Sequence, residues 1–322
     1  MLLKLIKGLS HLIRSNLLVT ILLLLLLSGC ESTNKNITKY DSHYIVYKVR
    51  SYRDTIEILK RLGYSEEDFK KGMKEIPRVL LTHISKRWRE TSKKISVSVK
   101  KSIFLRLMAS GAMIANEEVK RERVKLLPLI KRVKKAPISR QEAEWLRALA
   151  KKYKLLKSDS DLLTLEELDE LIQRVDIIPV SLTVTQAAIE SGWGTSRFAI
   201  EGNALFGQWS FGNSALKPKK QRKALGNYGL ATFKTPLDSI RSYMLNLNTH
   251  PAYREFRKRR AFFRHENIVL RGLYLTDTLK NYSELKFKYI ENLNAIIIKN
   301  SLEWLDLAKL KKGKTIIIDP DI

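Results

Sequence analysis

The sequence predicts a mainly helical protein, α+β only in the sense of one small β-hairpin lobe, and three observations carry that expectation. From Tyr52 to Lys157 the apolar residues recur at spacings of three and four, as in Ile56, Leu59 and Leu62 and again in Ile103, Phe104, Leu107 and Met108, the period of one helix face. In the second half, helix-start signals precede further apolar runs. Strand signals are sparse, and only Lys223 to Phe233, with Gly226 and Gly229, invites a short hairpin.

The first thirty residues read as a leader. Lys4, Lys7 and Arg14 are followed by an apolar run from Leu17 to Leu27, the n-region and h-region of a secretory signal. An uncleaved membrane anchor is the other reading of such a run, and both place the remaining chain outside the cytoplasm. Leu27-Ser28-Gly29-Cys30 resembles a bacterial lipobox, which implies that residues 1–30 are a lipoprotein signal and that Cys30 is lipidated. Cys30 is the only cysteine, so no disulfide is available and stability rests on core burial. In lipoproteins of the enterobacterial type an aspartate after the cysteine retains the protein in the inner membrane. Glu31 stands there instead, so an outer-membrane lipoprotein facing the periplasm is expected.

The formal net charge is +27, which suits an anionic polymer or surface. The leader makes nucleic acid a poor choice and leaves lipopolysaccharide phosphates, acidic lipid and the carboxylates of peptidoglycan stems; a general compositional bias is the alternative. Lys217 to Lys223 holds five positive charges in seven residues.

In chain order, residues 31–50 are polar at first and read as a tether. Residues 51–160 read as a helical N-terminal region, with Pro77, Pro128 and Pro137 as helix starts or breaks. Leu162 to Asp176 reads as a helix begun near Thr164, with Glu166 and Glu167 suited to its positive end. Ser181 is a good N-cap for a helix running to Gly192. Pro236 to Leu247, Glu266 to Leu273 and Phe287 to Leu307 read as further helical stretches.

Glu190 falls in the last turn of the helix begun at Ser181. The partial negative charge of a helix C-terminus disfavours ionisation there, and Trp193 and Phe198 are near enough in sequence to desolvate the group, both effects raising its pKa. Gln186 lies four residues earlier on the same face. Spacing alone does not separate this acid from a solvated surface glutamate.

The run Gln186 to Ser196 (Gln-Ala-Ala-Ile-Glu-Ser-Gly-Trp-Gly-Thr-Ser) followed by Asn203-Ala204-Leu205-Phe206-Gly207 resembles the signature of family-73 glycoside hydrolases, β-N-acetylglucosaminidases that cleave peptidoglycan. Tyr243 to Tyr253 and Leu279 to Glu284 resemble the Bax-protein subgroup of that family. The resemblance is close over roughly 180 to 300 and fainter over Lys101 to Leu129. It implies a lysozyme-like catalytic domain over 161–322, with the hairpin lobe beside a substrate groove. Glu190 would be the proton donor to the glycosidic oxygen and Tyr282 a tyrosine opposite it. Gln186, Asn203, Phe206, Trp209 and Tyr243 would bind substrate, Trp209 being the best placed for stacking on a sugar face. The implied partners are peptidoglycan glycan strands and, through Cys30, a membrane.

One departure stands out. Between Glu201 and Asp238 the chain holds no acidic residue, where a second carboxylate is expected in relatives that use one. Asp238, Asp277 or Glu284 approaching in space, the substrate's own acetamido oxygen acting as nucleophile, and loss of activity are the readings left open. His250 reads as a base or as a turn residue. The histidines are scattered and no calcium-loop or phosphate-loop spacing is present, so neither metal nor cofactor is expected.

Overall fold

Most of the helices begin at a residue that can satisfy their free N–H groups. Ser51 with Asp54, Ser65 with Asp68, Ser139 with Glu142, Thr164 with Glu167 and Thr235 with Asp238 each form a reciprocal capping box, the side chain of each partner bonding the other's backbone. The computed structural model describes residues 37–40, 43–156, 163–210, 215–217 and 229–321, with 37–40 described as backbone. The leader with Cys30, Phe211 and residues 218–223 of the basic cluster lie outside the described residues.

In order, β1 (Ile37–Tyr40) and β2 (Tyr44–Val49) precede α1 (Tyr52–Arg61), α2 (Glu66–Lys71), β3 (Glu75–Ile76), β4 (Val79–Leu81), α3 (Trp88–Lys94), α4 (Val97–Val133) and α5 (Arg140–Lys152). There follow α6 (Leu165–Arg174), α7 (Val180–Ser191), α8 (Arg197–Gly202), β5 (Trp209–Ser210), β6 (Gly229–Leu230), α9 (Pro236–Thr249), α10 (Arg254–His265), α11 (Phe287–Lys299), β7 (Lys309–Leu310) and β8 (Thr315–Pro320). The chain is mainly helical, as expected, and β5 pairs antiparallel with β6. This pair joins Gly229–Leu230 to Trp209–Ser210; residues 223–228 of the expected hairpin lie outside the described residues.

A four-stranded sheet in the order β1-β2-β8-β4 is a correction to the sequence reading, which took residues 31–50 as tether and found few strand signals beside the N-terminal helices. β8 lies parallel to both β2 and β4, with Val49 opposite Pro320 and Leu81 opposite Ile318. The strands are short and their partners come from opposite ends of the chain, so local periodicity gives little sign of them.

The long α4 is the central support. From Ser102 to Asn116 every residue is buried, as in a helix enclosed on all sides. Gly111 lets α9 cross closely, since a Cβ there would lie 2.9 Å from Ile240 Cδ1. Pro128 lies inside the helix rather than breaking it. The carbonyl it leaves without a helical donor is that of Val124, which is 73% exposed and open to water.

One apolar core runs from Val49 through α4, α7, α9 and α11 to Ile318, so the expected regions 51–160 and 161–322 share a single core. A second cluster joins Leu126, Leu129 and Ile130 of α4 to Leu146, Leu149 and Tyr153 and to Leu168, Leu171 and Val175. Helix α10 was not read from sequence, and Glu266 to Leu273, read as helix, follows its end. The buried face of α10 is Phe256, Arg257 and Arg260, which hides the apolar period.

Arg257 donates to the carbonyls of Leu247 and His250 at the end of α9, while Arg260, with Arg123 and Arg264, grips the link between α6 and α7. Arg260 donates to the carbonyls of Gln173 (2.7 Å) and Ile177 (2.8 Å), and Arg123 to those of Ile172 (2.6 Å) and Val175 (2.8 Å). Arg264 makes two bonds, 3.0 and 2.9 Å, to the Asp176 carboxylate. Burial pushes Asp176 up, but Arg260, Arg264 and Arg123 together hold its carboxyl below the ordinary value.

Candidate active site

Helix α7 carries Glu190, and both of its ends are fixed by other parts of the chain. Pro179 occupies the N-cap position and offers no side-chain bond; Ser181, expected there, lies within the first turn. The cap is Asp306, which accepts from Ser181 N (2.9 Å), Ser181 Oγ (2.7 Å) and Gly272 N (2.8 Å). Burial pushes the Asp306 carboxyl up to about 6, against the pull of those donors. At the other end Gly192 adopts the left-handed conformation, φ 57° and ψ 46°, the usual way an α-helix is closed.

Immediately beyond it, the Trp193 ring turns away from Glu190. It packs edge-on against Phe104 at 5.8 Å, and Trp88 Nε1 donates to its carbonyl at 3.1 Å. Neither Trp193 nor Phe198 lines the cavity into which Glu190 opens, which corrects the expectation that they desolvate the acid. An aromatic group from the segment after α8, from α9, from the segment before α11 and from α11 supplies that environment. Phe206 stacks on Tyr243 at 4.0 Å, and Tyr282 lies parallel to Tyr289 at 5.6 Å.

The hydrogen bonds behind Glu190 run in one direction. Tyr243 Oη donates to Gln186 Oε1 at 2.5 Å, Gln186 Nε2 donates to Tyr289 Oη at 2.9 Å, and Tyr289 Oη donates to Glu190 Oε1 at 2.9 Å. Because the amide presents its N–H₂ to Tyr289, the phenol oxygen is engaged as acceptor and its proton is committed to Glu190. Burial raises the Glu190 pKa and the Tyr289 bond lowers it, with burial the larger, so the net shift is upward. Tyr243, Tyr282 and Tyr289 are all pushed above the ordinary phenol value, chiefly by burial. They stay protonated as donors.

Glu190 opens into a cavity of about 680 Å³. Its walls are Phe206, Gly207, Gln208 and Trp209 on one side, Ser242, Leu245, Asn246, His250 and Tyr253 from α9 and the turn after it, and Lys154 and Tyr282 at the edges. Gly207 has φ 62°, and a Cβ there would lie 3.9 Å from Glu190 Oε2; the oxygen not held by Tyr289 therefore faces this glycine. Of the residues expected at the site, Phe206, Trp209 and Tyr282 line the cavity, with Trp209 55% exposed. Gln186 and Tyr243 are fully buried behind Glu190, where they orient the acid rather than meet the cavity. Asn203 is elsewhere: its Oδ1 accepts from Ile84 N at 2.9 Å and its Nδ2 donates to the carbonyls of Phe233 and Lys234, each at 3.1 Å.

Glu190 is the one carboxylate among the described residues lining this cavity. Asp238 is held by Thr235 and Arg241, Asp277 by Arg259, and neither these nor Glu284 is in the lining. His250 does line it, and its Nδ1 accepts from Ala252 N at 3.2 Å, a turn contact that leaves Nε2 for the cavity.

The phenol that touches Glu190, Tyr289, was missed in the sequence. A signal existed: Tyr289, Leu293 and Ile297 recur every four residues as the buried stripe of α11, and a buried tyrosine needs a partner for its hydroxyl.

Residues 165–302 match the glucosaminidase family, described as mannosyl-glycoprotein endo-β-N-acetylglucosaminidase. That part of the chain is thus similar to the glucosaminidase family. Over 131 residues it is 40% identical to Protein bax of Escherichia coli (strain K12), an alignment covering 40% of this chain and 46% of that protein. The chain thus spans about half the length of that curated relative. Among solved structures, the catalytic domain of the autolysin Auto from Listeria monocytogenes aligns over 53% of this chain and 90% of that one, at 15% identity and a TM-score of 0.31. The glucosaminidase-family match contains Glu190, Tyr282, Tyr289 and the whole directed chain of hydrogen bonds.

Proposed function

We propose that this protein is a peptidoglycan hydrolase, an endo-β-N-acetylglucosaminidase that cuts the glycan strand after N-acetylglucosamine with Glu190 as general acid. The observation that carries this reading is Glu190 itself: a glutamate raised in pKa by burial, hydrogen-bonded on one oxygen and facing an open groove with the other. Such a group delivers its proton to the glycosidic oxygen as the C1–O bond breaks, and charge develops on the sugar ring.

The absence of acids from Glu201 to Asp238 favours substrate assistance over a second protein carboxylate. The 2-acetamido oxygen attacks C1, the leaving hydroxyl departs with the Glu190 proton, and the cyclic oxazolinium ion is then opened by water as the Glu190 carboxylate takes up a proton from it. Tyr282, which lines the cavity parallel to Tyr289, would contact the acetamido group, and Trp209 would stack on a neighbouring sugar.

The same lone acid also serves a lytic transglycosylase, in which a hydroxyl of muramic acid closes the ring in place of water. Digestion of purified sacculi followed by mass spectrometry separates the two: reducing N-acetylglucosamine ends are expected, and anhydro-muramic ends would overturn the hydrolytic reading. Glu190→Gln is expected to lower release by about 10²–10⁴-fold. Unchanged release would leave a non-catalytic peptidoglycan-binding tether in its place. In this reading the lipid on Cys30 holds the domain at the outer membrane, facing the periplasm, and labelling with a radioactive fatty acid that is lost in Cys30→Ala tests the anchor.

A further inference from the structure

We propose that a second cavity, which shares no lining residue with the Glu190 groove, binds a small anionic amphiphile. This cavity has a volume of about 310 Å³ and lies where β2, β8 and β4 end: Val49, Pro320 and Leu81 are all in its wall. These three strands are parallel, so their carboxyl ends lie on the same side. A crevice outside the carboxyl ends of parallel strands is where open α/β sheets hold their ligands. The deep wall is apolar, made by Ile103, Phe104, Leu107 and Met108 of α4 with Trp88 of α3.

Two polar features set the chemistry. His83 lines the cavity, and its Nε2 is buried without a hydrogen-bond partner. Its Nδ1 lies 3.0 Å from Thr82 Oγ1, whose own proton goes to Asp319 Oδ1 at 2.6 Å. Thr82 therefore accepts from Nδ1–H, and in the neutral ring Nε2 is left as an acceptor. A buried acceptor in an apolar wall calls for a ligand N–H or O–H.

At the mouth stand Arg50 and Arg87. Arg87 lies 3.8 Å from Asp321, which offsets its charge, and Arg50 bonds the Asp54 carboxylate through its backbone N–H at 2.8 Å, its guanidinium being part of the cavity lining. The lining holds two guanidinium groups, Arg50 and Arg87, against one carboxylate, Asp321, above an apolar floor. An apolar chain or ring fits the floor, an amide or hydroxyl meets His83, and an acidic group meets Arg50. None of this depends on how the Glu190 groove is used.

The test uses two fluorescent probes of the same ring system and N–H, 8-anilinonaphthalene-1-sulfonate and the uncharged N-phenyl-1-naphthylamine, titrated into the 322-residue chain. The sulfonate is expected to occupy a saturable site that Thr91→Trp, a substitution in the cavity wall, removes for both probes. Arg50→Ala, at an exposed position that leaves the fold intact, is expected to weaken the sulfonate by about tenfold and to leave the uncharged probe unchanged. Binding that survives Thr91→Trp in a variant of unchanged circular dichroism, displacement by chitin oligosaccharides, or equal loss of both probes in Arg50→Ala would each overturn the proposal.

Discussion

Tyr289 Oη lies 2.9 Å from Glu190 Oε1 and donates to it, while accepting at the same distance from Gln186 Nε2. A donor fixed on a carboxyl group binds the ionised form better than the neutral one. As Glu190 gives up its proton in the proposed reaction, this bond strengthens, so its contribution is larger in the transition state than in the ground state.

Tyr289→Phe is therefore expected to lower kcat with little change in KM. Hydrogen bonds to charged groups contribute about 1.5–3 kcal/mol, which corresponds to a loss of roughly ten- to a hundredfold. The pH profile adds a readout that a packing defect does not imitate. In the proposed reaction activity requires protonated Glu190 and is lost as pH rises through its pKa. The Tyr289 bond lowers that pKa, so its removal moves the alkaline limb of kcat/KM to higher pH. A limb that stays in place would show that the bond does not act on the acid.

Gln186→Leu removes the middle of the chain and leaves the fully buried Tyr243 hydroxyl and the buried Tyr289 oxygen without their amide partner. Each stranded group costs about 1–3 kcal/mol, and a domain of this size loses about 2–4 °C in Tm per kcal/mol. Thermal unfolding is expected to fall by several degrees, together with kcat. A variant of unchanged Tm would place Gln186 at the cavity surface after all.

What could be read in the sequence was local. Helices that start at capping boxes and carry a 3.6-residue stripe, such as α6 and α9, announce themselves, whereas Glu190 is singled out by the resemblance of the run Gln186 to Ser196 to a family signature and not by its place in the last turn of α7 alone. What could not be read depends on residues far apart. The cap of α7 is Asp306, the phenol on Glu190 comes from α11, and the sheet joins residues 44–49 to residues 315–320. Helix α10 was lost because two of its three buried residues are arginines, whose partners, backbone carbonyls and the Asp176 carboxylate, lie on other elements far away in the chain.

Asp306 gives a pH dependence of stability with a defined sign. Its carboxyl is pushed up to about 6 in the folded protein, above an unfolded value of about 3.9. The folded state thus binds the proton more tightly, and the stability tied to this group is fully present below the unfolded pKa and lost as pH rises through 6. The difference amounts to roughly 3 kcal/mol. Asp306→Asn is expected to flatten this part of the profile between about pH 4 and 6, measured by urea midpoints. A wild-type profile matching that of the variant across this window would remove the burial effect from Asp306.

Asp176 acts with the opposite sign. Arg260 is 1% exposed and Asp176 is 2% exposed, and the arginines around it hold its carboxyl below the ordinary value. Its contribution is present above the unfolded pKa and lost as pH falls through the folded one. Asp176→Asn keeps the shape and the carbonyl contacts but leaves buried guanidinium charge without a counter-ion, a change that costs about 3–5 kcal/mol. Guanidinium chloride midpoints at neutral pH are expected to fall accordingly, and the gap between wild type and variant to close as pH is lowered past the folded pKa of Asp176. A gap that persisted at pH values where both proteins carry a neutral side chain there would assign the loss to packing rather than to charge.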